Sequence, residues 1–176
     1  IENFKLKSKK LKIKNNDLKK LKLKKKFDLV LSMFHVINYM TTNKDLELFF
    51  KVASSHLNKD GLLLFDTWYY PAVKHNRPKK TNKTFEDKNF KIFRKAVPEQ
   101  LSKKIFKIKY FIDILDLNSS KSFKFSEVHK IRAFDINELD KISNKFNFKK
   151  ISNCAFLKKI KPNKNYWGAI LLYQKT

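Results

Sequence analysis

Glycine is nearly missing from this chain. Its 176 residues hold two, Gly61 and Gly168, too far apart to share one glycine-rich loop. The single cysteine, Cys154, excludes an internal disulfide and a cysteine-based zinc site. It reads as a small residue at a strand end and fits a reducing cytoplasm. No two of the four histidines have metal-ligand spacing, so no metal site is expected. No apolar run approaches the roughly 20 residues of a membrane span, and no signal-peptide pattern is present. A cytoplasmic protein without membrane contact is the expectation. Arginine is scarce as well: of 41 basic residues only Arg77, Arg94 and Arg132 are not lysine.

What is abundant is positive charge, +25 net. Strongly basic chains often bind nucleic acid, but such sites recruit arginine for its bidentate fork. Abundant Lys, Asn, Ile and Phe beside so little Gly is the signature of AT-rich codons, which load lysine onto solvated positions. Coding bias therefore outweighs selection for a polyanion, and nucleic acid is not the expected partner. Apolar residues make up 42% of the chain and aromatics 14%, which at this length supports one domain with a real core.

Two short apolar runs frame the middle of the sequence. Phe27-Asp28-Leu29-Val30-Leu31-Ser32-Met33 and Gly61-Leu62-Leu63-Leu64-Phe65-Asp66-Thr67 are rich in branched and aromatic residues, as strands buried on both faces are. Between them Leu46, Phe49, Phe50, Val52, Ala53 and Leu57 share one broad helical face. Thr42 or Asn43 suits the N-cap, with Asp45 and Glu47 in the first turn. Asn58-Lys59-Asp60-Gly61 ends the helix, with Gly61 in the left-handed position. Strand, helix, strand over residues 27–71 predicts a parallel βαβ unit. Ligands in such sheets sit beyond the carboxyl ends of the strands. Chemistry is therefore expected at Phe34-His35-Val36-Ile37-Asn38-Tyr39 and Trp68-Tyr69-Tyr70-Pro71.

Residues 1–26 are a lysine-rich lead-in, with a strand expected at about 10–14 and a turn at Asn15-Asn16-Asp17. After Pro71 a polar loop is expected to about Lys88. Residues 89–134 then alternate, predicting three antiparallel strands at 90–97, 105–115 and 122–134 with a turn at Asn118-Ser119-Ser120. One face of this meander is expected to cover the crevice. The other meets solvent or a partner. A homodimer through the insert is also expected. In residues 135–176, Asp135 and Glu138 have capping-box spacing for a helix to about Phe146. Strands at 148–157 and 166–173 then close an antiparallel hairpin. The whole is one α/β domain.

Taken together, these stretches resemble the later part of a class I S-adenosylmethionine-dependent methyltransferase. Phe27 to His35 resembles that family's fourth strand and following loop, and Lys59 to Asp66 the turn into its fifth strand. Asn16-Asp17-Leu18 resembles the acidic turn at the cofactor adenine. Asp66-Thr67-Trp68-Tyr69-Tyr70-Pro71, and Glu127-Val128-His129-Lys130-Ile131 followed by Phe134, resemble the branch that methylates small molecules, aminosugar N-methyltransferases among them. The implied fold is a partial Rossmann-like sheet with strands three to seven and an antiparallel β insert after strand five. The family's strands one and two, with their glycine-rich loop, would precede Ile1. An N-terminally truncated, inactive fragment is thus the expectation, keeping neighbours 4-5-7-6 and leaving strand four with an apolar edge.

The resemblance implies S-adenosylmethionine as cofactor, contacted by Asp17, Leu18, Ser32, Met33, Phe34 and His35. It implies a small-molecule acceptor beside Trp68, Tyr69 and Tyr70. His129 is the candidate base, with Glu127 and Arg132 alternating beside it. His35 could instead cap its strand, Asn38 and Tyr39 are read as holding their loop together, and His56 and His75 as surface residues. Two other functions compete. A nucleic-acid methyltransferase would use the lysines on phosphates, although Ser32-Met33-Phe34-His35 stands where base-methylating enzymes carry an Asn/Asp-Pro-Pro-aromatic run. A non-catalytic binding module would explain the missing glycine-rich loop.

Overall fold

In the computed structural model, which describes residues 14–176, two four-stranded sheets meet at an angle around a cleft. The elements are β1 (Phe27–Ser32), α1 (Asn43–His56), β2 (Leu57–Trp68), α2 (Tyr70–His75), β3 (Thr81–Glu86), β4 (Phe90–Gln100), β5 (Ile105–Asp116), β6 (Ser122–Arg132), α3 (Ile136–Asn144), β7 (Phe148–Ala155) and β8 (Gly168–Lys175). The strand expected near residues 10–14 lies almost wholly outside the described residues.

The first sheet runs β1-β2-β8-β7. β1 pairs parallel with β2, as the βαβ reading requires, and β8 joins both β2 and β7 antiparallel. The helix α1 begins where Thr42 offers its hydroxyl oxygen to Asp45 N at 3.0 Å and returns its own proton to Asp45 Oδ2 at 2.8 Å. Its buried residues, Leu46, Phe49, Phe50 and Ala53, follow the i, i+3, i+4, i+7 spacing. They press onto Leu63 and Phe65 of β2 and Leu171 and Tyr173 of β8. Phe65 and Tyr173 stack at 5.6 Å with 7° between the rings, and Phe50 meets both edge-on. The Tyr173 hydroxyl donates to Asp140 Oδ1 at 2.6 Å, which lets a polar ring enter an apolar core. Burial, then the Asp140 carboxylate, push that phenol far above its ordinary range.

The second sheet, β3-β4-β5-β6, is an antiparallel meander. It packs through Ala96, Phe106, Ile108 and Ile131 against Tyr70 and Val73 of α2.

Several expectations need correction. β1 is not buried on both faces. It is an edge strand, with Leu29 47% and Leu31 57% exposed. The left-handed residue after α1 is Asp60, at φ 61°, and Gly61 has an ordinary φ. Gly61 is required by space instead: a Cβ there would meet the Asn58 carbonyl oxygen at 3.0 Å. The loop expected over 71–88 contains α2 and β3, so the insert has four strands. β3 is exposed throughout and exists through pairing with β4. Asp135 caps α3 by position, yet its side chain makes no capping bond. Lys104 draws in both Asp135 and Glu138, and Arg132 also takes Glu138, so the capping box does not form. His56 is buried, donating from Nδ1 to the Val52 carbonyl and accepting the Leu23 N–H at Nε2.

Because Phe50 touches Phe49, Phe65, Phe148 and Tyr173, Phe50→Ala is expected to destabilise the fold by roughly 3–5 kcal/mol. Urea titration measures this. Val52→Ala, on a half-buried flank of the same helix, is expected to cost less than half as much.

Candidate active site

β1 ends at Ser32, and the chain then does something unusual. Phe34 and His35 both take left-handed φ, 64° and 63°. Neither is glycine, so the pair is strained and needs outside support. That support is Asp66, fully buried in β2. Its Oδ1 accepts the His35 N–H at 2.9 Å, and its Oδ2 lies 2.9 Å from His35 Nδ1. Burial opposes ionisation of Asp66, but the His35 ring and backbone N–H outweigh it and hold the carboxyl below its usual range. The double turn leaves Phe34 87% exposed at the cleft mouth.

Next comes Asn38, which is buried. Its Nδ2 donates to the Arg132 carbonyl at the end of β6, and its Oδ1 accepts Trp68 N at 3.2 Å. One side chain thereby joins the loop after β1, the end of β2 and the end of β6. The inward face of the insert closes over this junction and encloses a cleft of about 330 Å³. Phe34, His35, Trp68 and His129 all line it, so strand ends far apart in sequence converge.

Inside the cleft a polar chain is continuous. The Tyr39 hydroxyl is 2.6 Å from His129 Nδ1, and His129 Nε2 is 3.1 Å from Glu127 Oε2. Burial first, then Tyr110 and Glu127, raise the Tyr39 phenol above its ordinary value. The Glu127 carboxylate can only accept, which places the imidazole proton on Nε2 and leaves Nδ1 to accept from the Tyr39 hydroxyl. The Tyr110 ring stands edge-on to His129 at 5.2 Å.

The remaining predicted site residues go elsewhere. Leu18, Ser32 and Met33 line a second, more apolar cavity of about 370 Å³ with Val30 and Phe49, on the other side of β1's carboxyl end. The Ser32 hydroxyl is buried with no partner among the described residues. Asp17 caps a single 3₁₀ turn, Leu18–Lys20, and accepts Lys19 N at 2.9 Å. Tyr69 packs against the main core, and Tyr70 is buried beneath Lys104, 5.0 Å from its ring centre. Neither tyrosine lines the cleft of Trp68. Sequence reasoning gave Tyr39 only a structural role and assigned none to Asp66 by itself or to Tyr110. The one signal for Asp66 was an acid inside an apolar strand. Among the described residues no three His, Cys, Asp or Glu side chains cluster as a metal site, and no helix is long and apolar enough to cross a membrane.

No protein-family model matches this sequence, and none of the curated proteins does. Solved structures do share the fold. An S-adenosylmethionine-dependent methyltransferase from Clostridium acetobutylicum superposes with a TM-score of 0.75 at 19% identity, over 91% of this chain and 63% of that one. CalS10, an amino pentose methyltransferase from Micromonospora echinaspora solved with S-adenosylmethionine bound, gives 0.69 at 15%, over 92% and 63%. The sugar N-methyltransferase KedS8 from a Streptoalloteichus species gives 0.71 at 14%, over 91% and 60%. The fold is that of S-adenosylmethionine-dependent methyltransferases, and the chain spans somewhat less than two thirds of their length.

Since the Asp66 pKa is depressed in the fold, its stabilisation is fully present above the unfolded-chain value and is lost as pH falls through the folded one. Asp66→Asn is expected to cost about 1.5–3 kcal/mol at about pH 7. The gap to the parent protein should be smaller at a second pH below the unfolded-chain value of about 3.9. Urea midpoints at the two pH values measure both, and an equal gap at each would contradict this account.

Proposed function

We propose that this chain contributes to methyl transfer from S-adenosylmethionine to a small-molecule acceptor. The observation that carries this reading is the meeting of His35, Trp68 and His129 in one cleft beyond the carboxyl ends of β1 and β2, in a fold shared with enzymes of that chemistry. In this reading β1, β2, β8 and β7 correspond to strands four, five, seven and six of the methyltransferase sheet. β3 to β6 form the insert after strand five. The acceptor class follows the small amine-bearing sugars named for two of the similar structures. The lone Cys154 suits a reducing cytoplasm.

Asp17, Leu18, Ser32, Met33, Phe34 and His35 are the residues that would hold the cofactor. Two features of their surroundings fit. The cavity beside Ser32 is walled by Leu18, Val30 and Met33, and it contains a buried hydroxyl in need of a partner. When bound, S-adenosylmethionine supplies a methyl group already activated on a sulfonium, so positioning and water exclusion matter most. Trp68 and Tyr110 wall the acceptor side. His129 serves as base through Tyr39: the phenol takes a proton from the acceptor as it passes its own to Nδ1, and Glu127 stabilises the resulting imidazolium. Gly61 and Gly168 both lie in strands, so in this reading the described residues supply one wall of a cofactor site.

The far end of the inward insert face presents Phe85, Phe90, Phe123 and Phe125, all exposed. Among its strand positions only Lys83 and Arg94 are basic, in a chain with 41 basic residues. We assign this lysine-poor apolar patch to a second copy of the chain.

Calorimetry with S-adenosylmethionine is expected to give no saturable binding to residues 1–176 alone, and micromolar affinity would refute the half-site reading. In the full-length protein, His129→Gln is expected to lower methylation by about 10²–10⁴-fold with cofactor affinity unchanged. Tyr39→Phe should shift the pH–rate profile as well. Light scattering checks the dimer, which Phe123→Ser with Phe125→Ser should dissociate.

A further inference from the structure

The outward face of the insert is chemically unlike the inward one. Strand alternation brings Lys91, Phe93 and Lys95 of β4 beside Lys109, Phe111 and Asp113 of β5 on this side. Phe93 pairs with Asp113 and Lys95 with Phe111, so the two phenylalanines are diagonal neighbours on the two central strands. Both rings are exposed. They border a shallow depression of about 550 Å³, larger than the cleft, whose rim carries Asn82, Thr84 and Ser126.

Three of the lysines here are already neutralised: Lys91 by Glu86, Lys107 by Glu99 and Lys124 by Asp113. Among the described residues Lys95, Lys109 and Lys130 have no carboxylate partner. Lys95 and Lys109 rest their ammonium groups over Phe111, at 5.7 and 4.8 Å from its centre. An exposed aromatic ring between two uncompensated cations, with a second ring one diagonal step away, is a surface prepared for a π-faced polyanion. A base stacks on such a ring more strongly than an exposed lysine does, and the displaced ammonium groups swing to the flanking phosphates.

We propose that this face binds single-stranded RNA, independently of the methyl-transfer reading. Phe93 and Phe111 stack successive bases, Lys95, Lys109 and Lys130 track the backbone, and Thr84 and Ser126 offer hydroxyls to ribose 2′-OH groups. Overall lysine content gives no reason to expect this, because coding bias explains it. The pairing of unneutralised lysines with exposed rings on one face does, since codon bias does not sort side chains by strand register.

Fluorescence anisotropy with a labelled oligouridine of about twelve nucleotides tests the proposal, at about 50 and about 200 mM salt. Phe93→Ala with Phe111→Ala is expected to weaken binding at least about tenfold with little change in salt slope. Lys95→Gln with Lys109→Gln should lower the slope by about 0.7 per lysine. Lys158→Gln with Lys159→Gln, an exposed pair elsewhere, should leave affinity within about twofold. All these positions are solvent-facing, and circular dichroism verifies the fold of each variant. Heparin binding as tight as oligouridine, an unaffected phenylalanine variant, or an equal effect at Lys158 and Lys159 would each overturn the proposal. Equal affinity for oligothymidine would overturn its assignment to RNA.

Discussion

The Asn38 amide fixes the geometry on which the rest of the site depends. It bridges the two sheets, with a β6 carbonyl on its amino side and the β2 Trp68 N–H on its oxygen. The backbone repeats the connection just beyond: Phe134 N donates to Trp68 O at 2.9 Å, and Tyr70 N to Phe134 O at 2.9 Å. An antiparallel meander would otherwise be free to hinge about the end of β2. With Asn38 satisfied on both sides, the angle between the sheets is set by hydrogen-bond directions in a place without competing water. The cleft is the space that angle leaves.

Within that frame, strain and burial support each other. The left-handed pair Phe34–His35 would relax in isolation. A buried carboxylate at Asp66 would be costly on its own. Each supplies what the other lacks, because the bend that strains His35 is the bend that presents its N–H and ring to Asp66. The same coupling turns Phe34 outward, so the cleft's mouth has an aromatic lip that the core neither needs nor contacts.

Much of this was legible in the residues, and the limits have physical causes. α1 announced itself because a Thr cap and a 3–4 apolar spacing agree. β2, β5 and β6 did so because their runs are long. α2 and β3 were not legible. α2 is six residues held by burial of Tyr70, Ala72 and Val73, and β3 is polar and exposed, so neighbours decide both. His35, Trp68 and His129 could be picked out as residues at or near strand ends. Tyr39 could not be given its place beside His129, because 90 positions separate them and only the angle between sheets brings them together. The capping box at Asp135 failed for a related reason: Lys104 and Arg132, distant in sequence or on another element, took its carboxylates.

The order of the first sheet has a consequence for how the molecule is built. Of the described strands β8 is the last to leave the ribosome, yet it lies between β2 and β7. Its partner contacts with β2 span more than a hundred residues, from Leu62 to Gln174. The insert, by contrast, is a run of successive hairpins that closes as it is made. Synthesis therefore yields a finished meander first, attached to a βα unit whose aromatic core still lacks Tyr173. Residues Gly168–Lys175 act as a keystone: until they arrive, β2 and β7 have no common neighbour, and a chain without β8 would keep the insert while losing the sheet that gives it something to close against.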